Sequence, residues 1–195
     1  MFLYLLDFLS SVSSNFFVLE YITLRAILSI ITALLISLLL GPYIINKFHI
    51  NKLSEVIRDD GPSSHMKKSG TPTMGGLLIL SSLLISTLMW SDLENKYILY
   101  IIFTTISFAI IGFVDDYKKL KKSKKGMSAK TKISLQIIAA GIVSCFMFVF
   151  LESTQEQQLI IPFFKNILID LGMFFIPFVM LVIISTSNAV NLTDG

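Results

Sequence analysis

Cysteine and charge are both scarce in this 195-residue chain, and each scarcity closes a class of function. The single cysteine, Cys145, lies inside an apolar run, so neither a disulfide framework nor a thiolate metal site can be built, and Cys145 reads as packing. Only 15% of the residues are charged against 54% hydrophobic, and the mean hydropathy is +0.76. A chain of that composition cannot hide its apolar surface in water, which excludes the ordinary soluble domain its length would otherwise suit. No basic n-region and no small-residue cleavage pattern mark the stretch from Met1 to Tyr21, which carries Asp7 and Glu20. It reads as a short helix near the membrane surface and not as a removable signal peptide. Internal repeats, low-complexity tracts and strand-like alternation of useful length are absent, and so is the G-x-x-x-x-G-K-[ST] spacing of a P-loop. The net charge of +3 is not taken as a sign of nucleic-acid binding, because in a membrane protein the positions of Lys and Arg carry the information.

What the sequence does contain is apolar length. A membrane helix needs about 20 predominantly apolar residues, since lipid offers the backbone no hydrogen-bond partners. Five segments qualify, approximately Ile22 to Ile45, Thr73 to Trp90, Tyr97 to Val114, Ile133 to Phe150 and Ile167 to Ser187. The expected fold is all-α, a polytopic transmembrane helix bundle with residues 1–195 forming a single integral membrane domain. Thirteen of the sixteen basic residues fall in the loops 46–72 and 115–132, the second of which holds eight lysines. The positive-inside rule puts those loops in the cytoplasm, the N-terminus outside and the C-terminus inside. Every unusual polar cluster then shares one face, which an active site built from them requires.

Three clusters stand out. Asp115 and Asp116 lie where the third span ends, in Gly112-Phe-Val-Asp-Asp-Tyr-Lys-Lys119. Carboxylates at the edge of hydrocarbon are costly unless paired or facing a polar cavity, so they read as a functional site. Two adjacent acids suit Mg²⁺, which takes one or two carboxylates and fills its shell with water and phosphate oxygens. An interfacial stop signal is the plainer alternative. In the first loop, Gly70, Pro72, Gly75 and Gly76 set a tight path on which amides and hydroxyls can approach an anion, with Lys67 and Lys68 at hand for a diphosphate. That loop can equally be one that ends a helix and starts another. His65 alone reads as a hydrogen-bonded loop residue, and Ile50, Leu53 and Ile57 recur at the spacing of an amphipathic surface helix. The lysines after Asp116 attract anionic lipid by about 1 kcal/mol each, which accounts for most of them through topology and lipid adhesion. At the C-terminal end, Asn188, Asn191, Thr193 and Asp194 offer amides and a carboxylate that can read a base or sugar, or can simply solvate a helix end.

The segments Arg58-Asp-Asp-Gly-Pro-Ser-Ser-His-Met-Lys-Lys-Ser-Gly-Thr-Pro-Thr-Met-Gly-Gly76, Gly112-Phe-Val-Asp-Asp-Tyr-Lys-Lys119 followed by Lys125-Gly126, and Asn188-Ala-Val-Asn-Leu-Thr-Asp-Gly195 together resemble the phospho-N-acetylmuramoyl-pentapeptide transferases, the MraY family of the polyprenyl-phosphate N-acetylhexosamine-1-phosphate transferase superfamily. The likeness runs over essentially the whole chain. It implies a multi-pass enzyme of the bacterial cytoplasmic membrane, active on its cytoplasmic face in peptidoglycan synthesis and so in cell shape and division. Its substrates would be UDP-MurNAc-pentapeptide and undecaprenyl phosphate, its products lipid I and UMP, and its cofactor Mg²⁺, among membrane lipids, with no nucleic acid and with room for a homodimer. By position, the resemblance makes Asp115 and Asp116 the catalytic and metal-binding acids. It puts Lys68, Thr73 and Lys119 with the substrate phosphates and Asn188, Asn191 and Asp194 on the uridine side. The family's continuation past Gly195, with a further metal aspartate and a histidine-rich loop, is missing, so the chain is expected to be the N-terminal part of a longer enzyme and by itself inactive.

The chemistry this implies is in-line attack by a phosphate oxygen of the lipid on the sugar-linked phosphorus. Both reactants are anions, so positioning and charge neutralisation should dominate. Asp115 is the preferred base if the lipid phosphate arrives protonated. A sister transferase using UDP-GlcNAc is the nearest alternative, and Gly-Thr-Pro-Thr-Met-Gly-Gly argues against it. A transporter subunit would need charges deep in the spans, where only Arg25 and Asp170 occur, both near outer ends.

Overall fold

The computed structural model describes residues 18–19, 21–50, 75–121, 126–161, 163 and 168–194. Five helices carry most of them: α1 (Ile22–Ile50), α2 (Gly75–Trp90), α3 (Lys96–Lys121), α4 (Ala129–Val149) and α5 (Phe175–Asp194). Two short antiparallel strands, β1 (Gln158–Ile160) and β2 (Leu168–Asp170), stand between α4 and α5. Four of the helical segments, Ile22–Lys47, Lys96–Leu120, Ala129–Val149 and Gly172–Val190, are long and apolar enough to cross a bilayer. α2 is apolar but has 16 residues, about 24 Å at 1.5 Å per residue, shorter than the hydrocarbon. The chain is therefore a polytopic helix bundle, as expected. Large apolar side chains such as Leu39 and Ile22 stand open on the outer faces, where lipid and not water is their solvent.

Several expected boundaries shift. α1 continues beyond Ile45 to Ile50 with Pro42 inside it. α3 does not stop at Val114 but runs on to Lys121, so Asp115 and Asp116 are helical residues, and the expected loop 115–132 gives up 115–121 to α3 and 129–132 to α4. Hydropathy falls at Asp115, but backbone hydrogen bonding does not depend on hydropathy. The Phe113 and Tyr117 rings stack at 6.1 Å, and Lys119 pairs back to both aspartates, each pair adding a few tenths of a kcal/mol to the added turns. The last span starts at Gly172, with its α-helix from Phe175, and not at Ile167, because residues 168–170 pair with 158–160 in the register Gln158↔Asp170, Leu159↔Ile169, Ile160↔Leu168. Asp170 then accepts from the Gly172 amide at 3.0 Å, and Gly172, at φ +46, turns the chain into α5. The surface helix expected before residue 22 and the amphipathic stretch after Ile50 lie outside the described residues, apart from 18, 19 and 21.

Residues 1–102 and 112–126 form one compact unit, and residues 103–111 and 127–195 a second. In the first, α1 and α2 pack through hydroxyls. Ser29 and Ser37 of α1 meet Ser86 and Ser82 of α2, each pair at 2.8 Å, and the Trp90 indole donates to Thr32 at 2.9 Å. Ser82 and Ser86 are the buried residues of α2, one turn apart on one face. Lipid tails are as apolar as leucine and give no hydrophobic drive between helices, so small polar residues of this kind supply the attraction. Gly41 faces Leu78 of α2, where a Cβ would stand at ordinary contact, 3.5 Å. A short turn follows, in which Asn95 accepts from the Tyr97 amide at 2.9 Å and starts α3.

In the second unit, Ser128 caps α4 by accepting from the Thr131 amide at 3.2 Å. The buried residues of α4 are Gln136, Ala140, Val143 and Ser144, a stripe at helical spacing. α5 packs on α4, with Met180 against Gly141, the ring of Phe175 beside that of Phe148 and Asn188 opposite Gln136. Small residues at 140, 141 and 144 bring the two backbones close.

Candidate active site

The acidic pair is built by helix spacing. Asp115, Asp116 and Lys119 occupy the last two turns of α3, where three and four residues apart means neighbouring on the surface. The Lys119 ammonium lies 3.1 Å from Asp115 Oδ2 and 2.9 Å from Asp116 Oδ1. An aspartate four residues before a lysine is the favourable order, and the lysines 118 and 119 also suit the negative end of the helix dipole.

The two acids differ in exposure. The Asp115 side chain is 10% exposed, against 44% for Asp116 and 42% for Lys119. A carboxylate that deep must be compensated by a cation or by hydrogen bonds. Lys119 compensates it from the open side. Its pair with exposed Asp116 is worth about 0–1 kcal/mol, whereas Asp115 needs a cation in place, so Lys119 can leave when another cation takes over. The cluster can therefore exchange its ammonium for another cation, or turn the ammonium toward an incoming anion while the carboxylates take something else.

Gly126 closes the other side. It has φ +66, and a Cβ built on it would lie 2.6 Å from Asp115 Oδ1 and 2.9 Å from both Cγ and Cε of Lys119. The backbone thus comes down on the carboxylate at a position where no side chain fits. From sequence, Gly126 stands only in the Lys125-Gly126 pair that follows the acidic segment, and its contact with Asp115 is missed. A glycine after a lysine run is an ordinary turn signal, and its closeness to Asp115 is a tertiary fact.

The second polar site is an amide pair between α4 and α5. Asn188 Nδ2 donates to Gln136 Oε1 at 2.8 Å and to the Ile184 carbonyl at 2.8 Å, while Gln136 Nε2 approaches Asn188 Oδ1 at 3.5 Å. Both protons of the Asn188 amide are thereby used. Gln136 is 2% exposed, and the sequence reading also missed it: a glutamine in an apolar span announces a partner without saying which.

Of the expected site residues, the structure brings Asp115, Asp116 and Lys119 into direct contact and places Asn188 against Gln136. Asn191 and Asp194 lie on the last turns of α5, their side chains outside the described residues. Lys68 and Thr73, with Lys67 and His65, lie outside the described residues altogether. Among the described residues no three acids, histidines or cysteines gather into a metal-binding cluster.

The sequence model of glycosyl transferase family 4 matches residues 98–195, which takes in the acidic pair, Gly126, Gln136 and Asn188. The phospho-N-acetylmuramoyl-pentapeptide-transferase signature 1 matches residues 68–80, the approach to α2 and its first turns.

Proposed function

The chain belongs to glycosyl transferase family 4, and from that premise we propose that it transfers phospho-MurNAc-pentapeptide from UDP to undecaprenyl phosphate, giving lipid I and UMP at the cytoplasmic face of the bacterial inner membrane. The family and the signature together support a sugar-phosphate transferase acting on a polyprenyl phosphate. The choice of donor is carried by one observation, the signature over residues 68–80, which includes Lys68 and Thr73. The face is supported by the basic residues, which cluster in 115–132 and in 46–72.

The chemistry joins two anions, a lipid phosphate and a nucleotide diphosphate, so the protein's task is to gather charge and align the attack. In this proposal Asp115 and Asp116 hold Mg²⁺. Their donor set fits: oxygen atoms only, two carboxylates from adjacent residues that already collect a cation between them, and one of them open to water and phosphate. When bound, the metal would neutralise the diphosphate and favour departure of UMP. Lys119, released from the carboxylates, turns its ammonium to the phosphate oxygens and keeps two anions in one place. Asp115, the more buried acid, accepts a proton from the lipid phosphate if that group arrives protonated. Lys68 and Thr73 bind the phosphates from the first loop, and Asn191 and Asp194 take the uridine side together with Asn188, which can offer only its Oδ1 because its amide protons go to Gln136 and Ile184.

Membranes containing the protein, expressed from its complete reading frame and supplied with undecaprenyl phosphate, should release UMP from UDP-MurNAc-pentapeptide and not from UDP-GlcNAc. Release from UDP-GlcNAc alone would make it the sister transferase. Solute or proton flux without any sugar-phosphate transfer would return it to the transporters, for which the described spans offer little: Asp170 is on β2, outside α5, and Arg25 stands in the first turn of α1.

A further inference from the structure

We propose that Gly126 is a positioning residue for Asp115: the side chain missing at 126 is the space in which the Asp115 carboxylate and the stem of Lys119 rest. The inference rests on the reading of Asp115 as an acid of the transfer site.

Two separate demands meet at Gly126. Its φ of +66 favours glycine whatever the surroundings, because a Cβ crowds the backbone in that region. Independently of φ, a Cβ there would meet Asp115 Oδ1 at 2.6 Å and Lys119 Cγ and Cε at 2.9 Å, closer than non-bonded atoms stand. The other glycines separate the two demands. Gly172 also has positive φ, +46, but a Cβ on it would find nothing within 4 Å. Gly41 and Gly141 would meet neighbours only at ordinary contact, 3.5 and 3.6 Å, and Gly75, Gly76 and Gly112 would meet nothing. Gly126 alone among the described glycines is fitted against another group, and that group is the carboxylate to which the reaction is assigned.

The consequences for the two neighbours differ. Lys119 is a flexible chain, 42% exposed, and can swing aside. Asp115 is 10% exposed on a continuous helix and can yield only by rotating its carboxylate out of place or by pushing 126 away. A side chain at 126 therefore acts first on the carboxylate, which has the nearest atom and turns aside unless the glycine's own turn shifts. Misplacements of about 1 Å at reacting groups cost around 10²-fold in rate.

The test uses the protein expressed from its complete reading frame in membranes, with four variants: Gly126→Ala, Gly126→Asn, Gly172→Ala and Asp115→Asn. Turnover, KM for UDP-MurNAc-pentapeptide and the thermal midpoint are measured for each. Asparagine tolerates positive φ and still carries a Cβ, so Gly126→Asn removes most of the backbone strain but keeps the collision. Both 126 variants should lose about 10- to 100-fold in kcat, with KM within about threefold and the thermal midpoint close to that of Gly172→Ala, which itself turns over normally. Near-normal kcat in Gly126→Asn would overturn the inference, leaving 126 as a turn glycine. So would a fall in kcat matched by a collapse of the thermal midpoint in both 126 variants. If Asp115→Asn turns over normally, the assignment of Asp115 itself fails. If Asp115→Asn is inactive and Gly126→Ala is not, only the present inference fails.

Discussion

Two polar groupings in this molecule sit at opposite ends of a range. The Gln136–Asn188 amides are neutral, one of them 2% exposed, and the asparagine's protons are both spent on protein acceptors. The acids at the end of α3 are charged, unequal in exposure and matched in part by a lysine that water reaches. Satisfied amides and hydroxyls inside the spans hold helices together, and the serines between α1 and α2 do the same. A charge cluster with a replaceable cation is suited to exchange. In a bilayer both kinds of group cost energy to bury, so the state of their partners, more than their polarity, separates attachment from chemistry.

That contrast can be broken at three strengths. The largest effect belongs to the charged cluster: Asp115→Asn should reduce turnover by orders of magnitude while UDP-MurNAc-pentapeptide binding changes little, measured by product formation beside equilibrium binding. A stable, correctly inserted variant with near-normal turnover would remove Asp115 from the chemistry. Next comes the amide pair. Gln136→Leu leaves Asn188 without its side-chain acceptor and should cost about 1 kcal/mol of stability, since buried polar groups in membrane helices recover part of their loss elsewhere. A double-mutant cycle with Asn188→Ala should find the two coupled, and additivity would show that the pair is not a unit. Smallest is Ser86→Ala, expected near 0.6 kcal/mol in the same denaturation assay, the average for such contacts in a bilayer. A loss in turnover at unchanged stability would mean that the α1–α2 hydroxyls serve more than packing.

How much of this could be read from residues alone follows the range of each interaction. Apolar length placed the helices, because burial in lipid is additive along the chain. It misjudged their ends wherever local bonding outlasts hydropathy, as from Asp115 to Lys121, or precedes it, as at Leu168–Asp170, where strands of three residues are too short to alternate visibly. Asp115 and Asp116 were legible as a pair at the edge of hydrocarbon, and Lys119 through the family resemblance; that one helix carries all three was not, since the span was expected to stop at Val114. Gln136 with Asn188, 52 residues apart, and Gly126 with Asp115 were not, because sequence spacing does not report which loop or helix folds back on which.

The central claim is that the end of α3 holds the metal and the phosphates. Iron-directed cleavage tests it directly: Fe²⁺ replaces Mg²⁺ in membranes saturated with UDP-MurNAc-pentapeptide, ascorbate and peroxide are added, and the backbone is cut where the metal sits. The account predicts fragments ending between Gly112 and Lys119, suppressed by excess Mg²⁺ and absent from the Asp115→Asn, Asp116→Asn double variant. Mg²⁺-sensitive cleavage confined to other parts of the chain, with α3 intact, would contradict it.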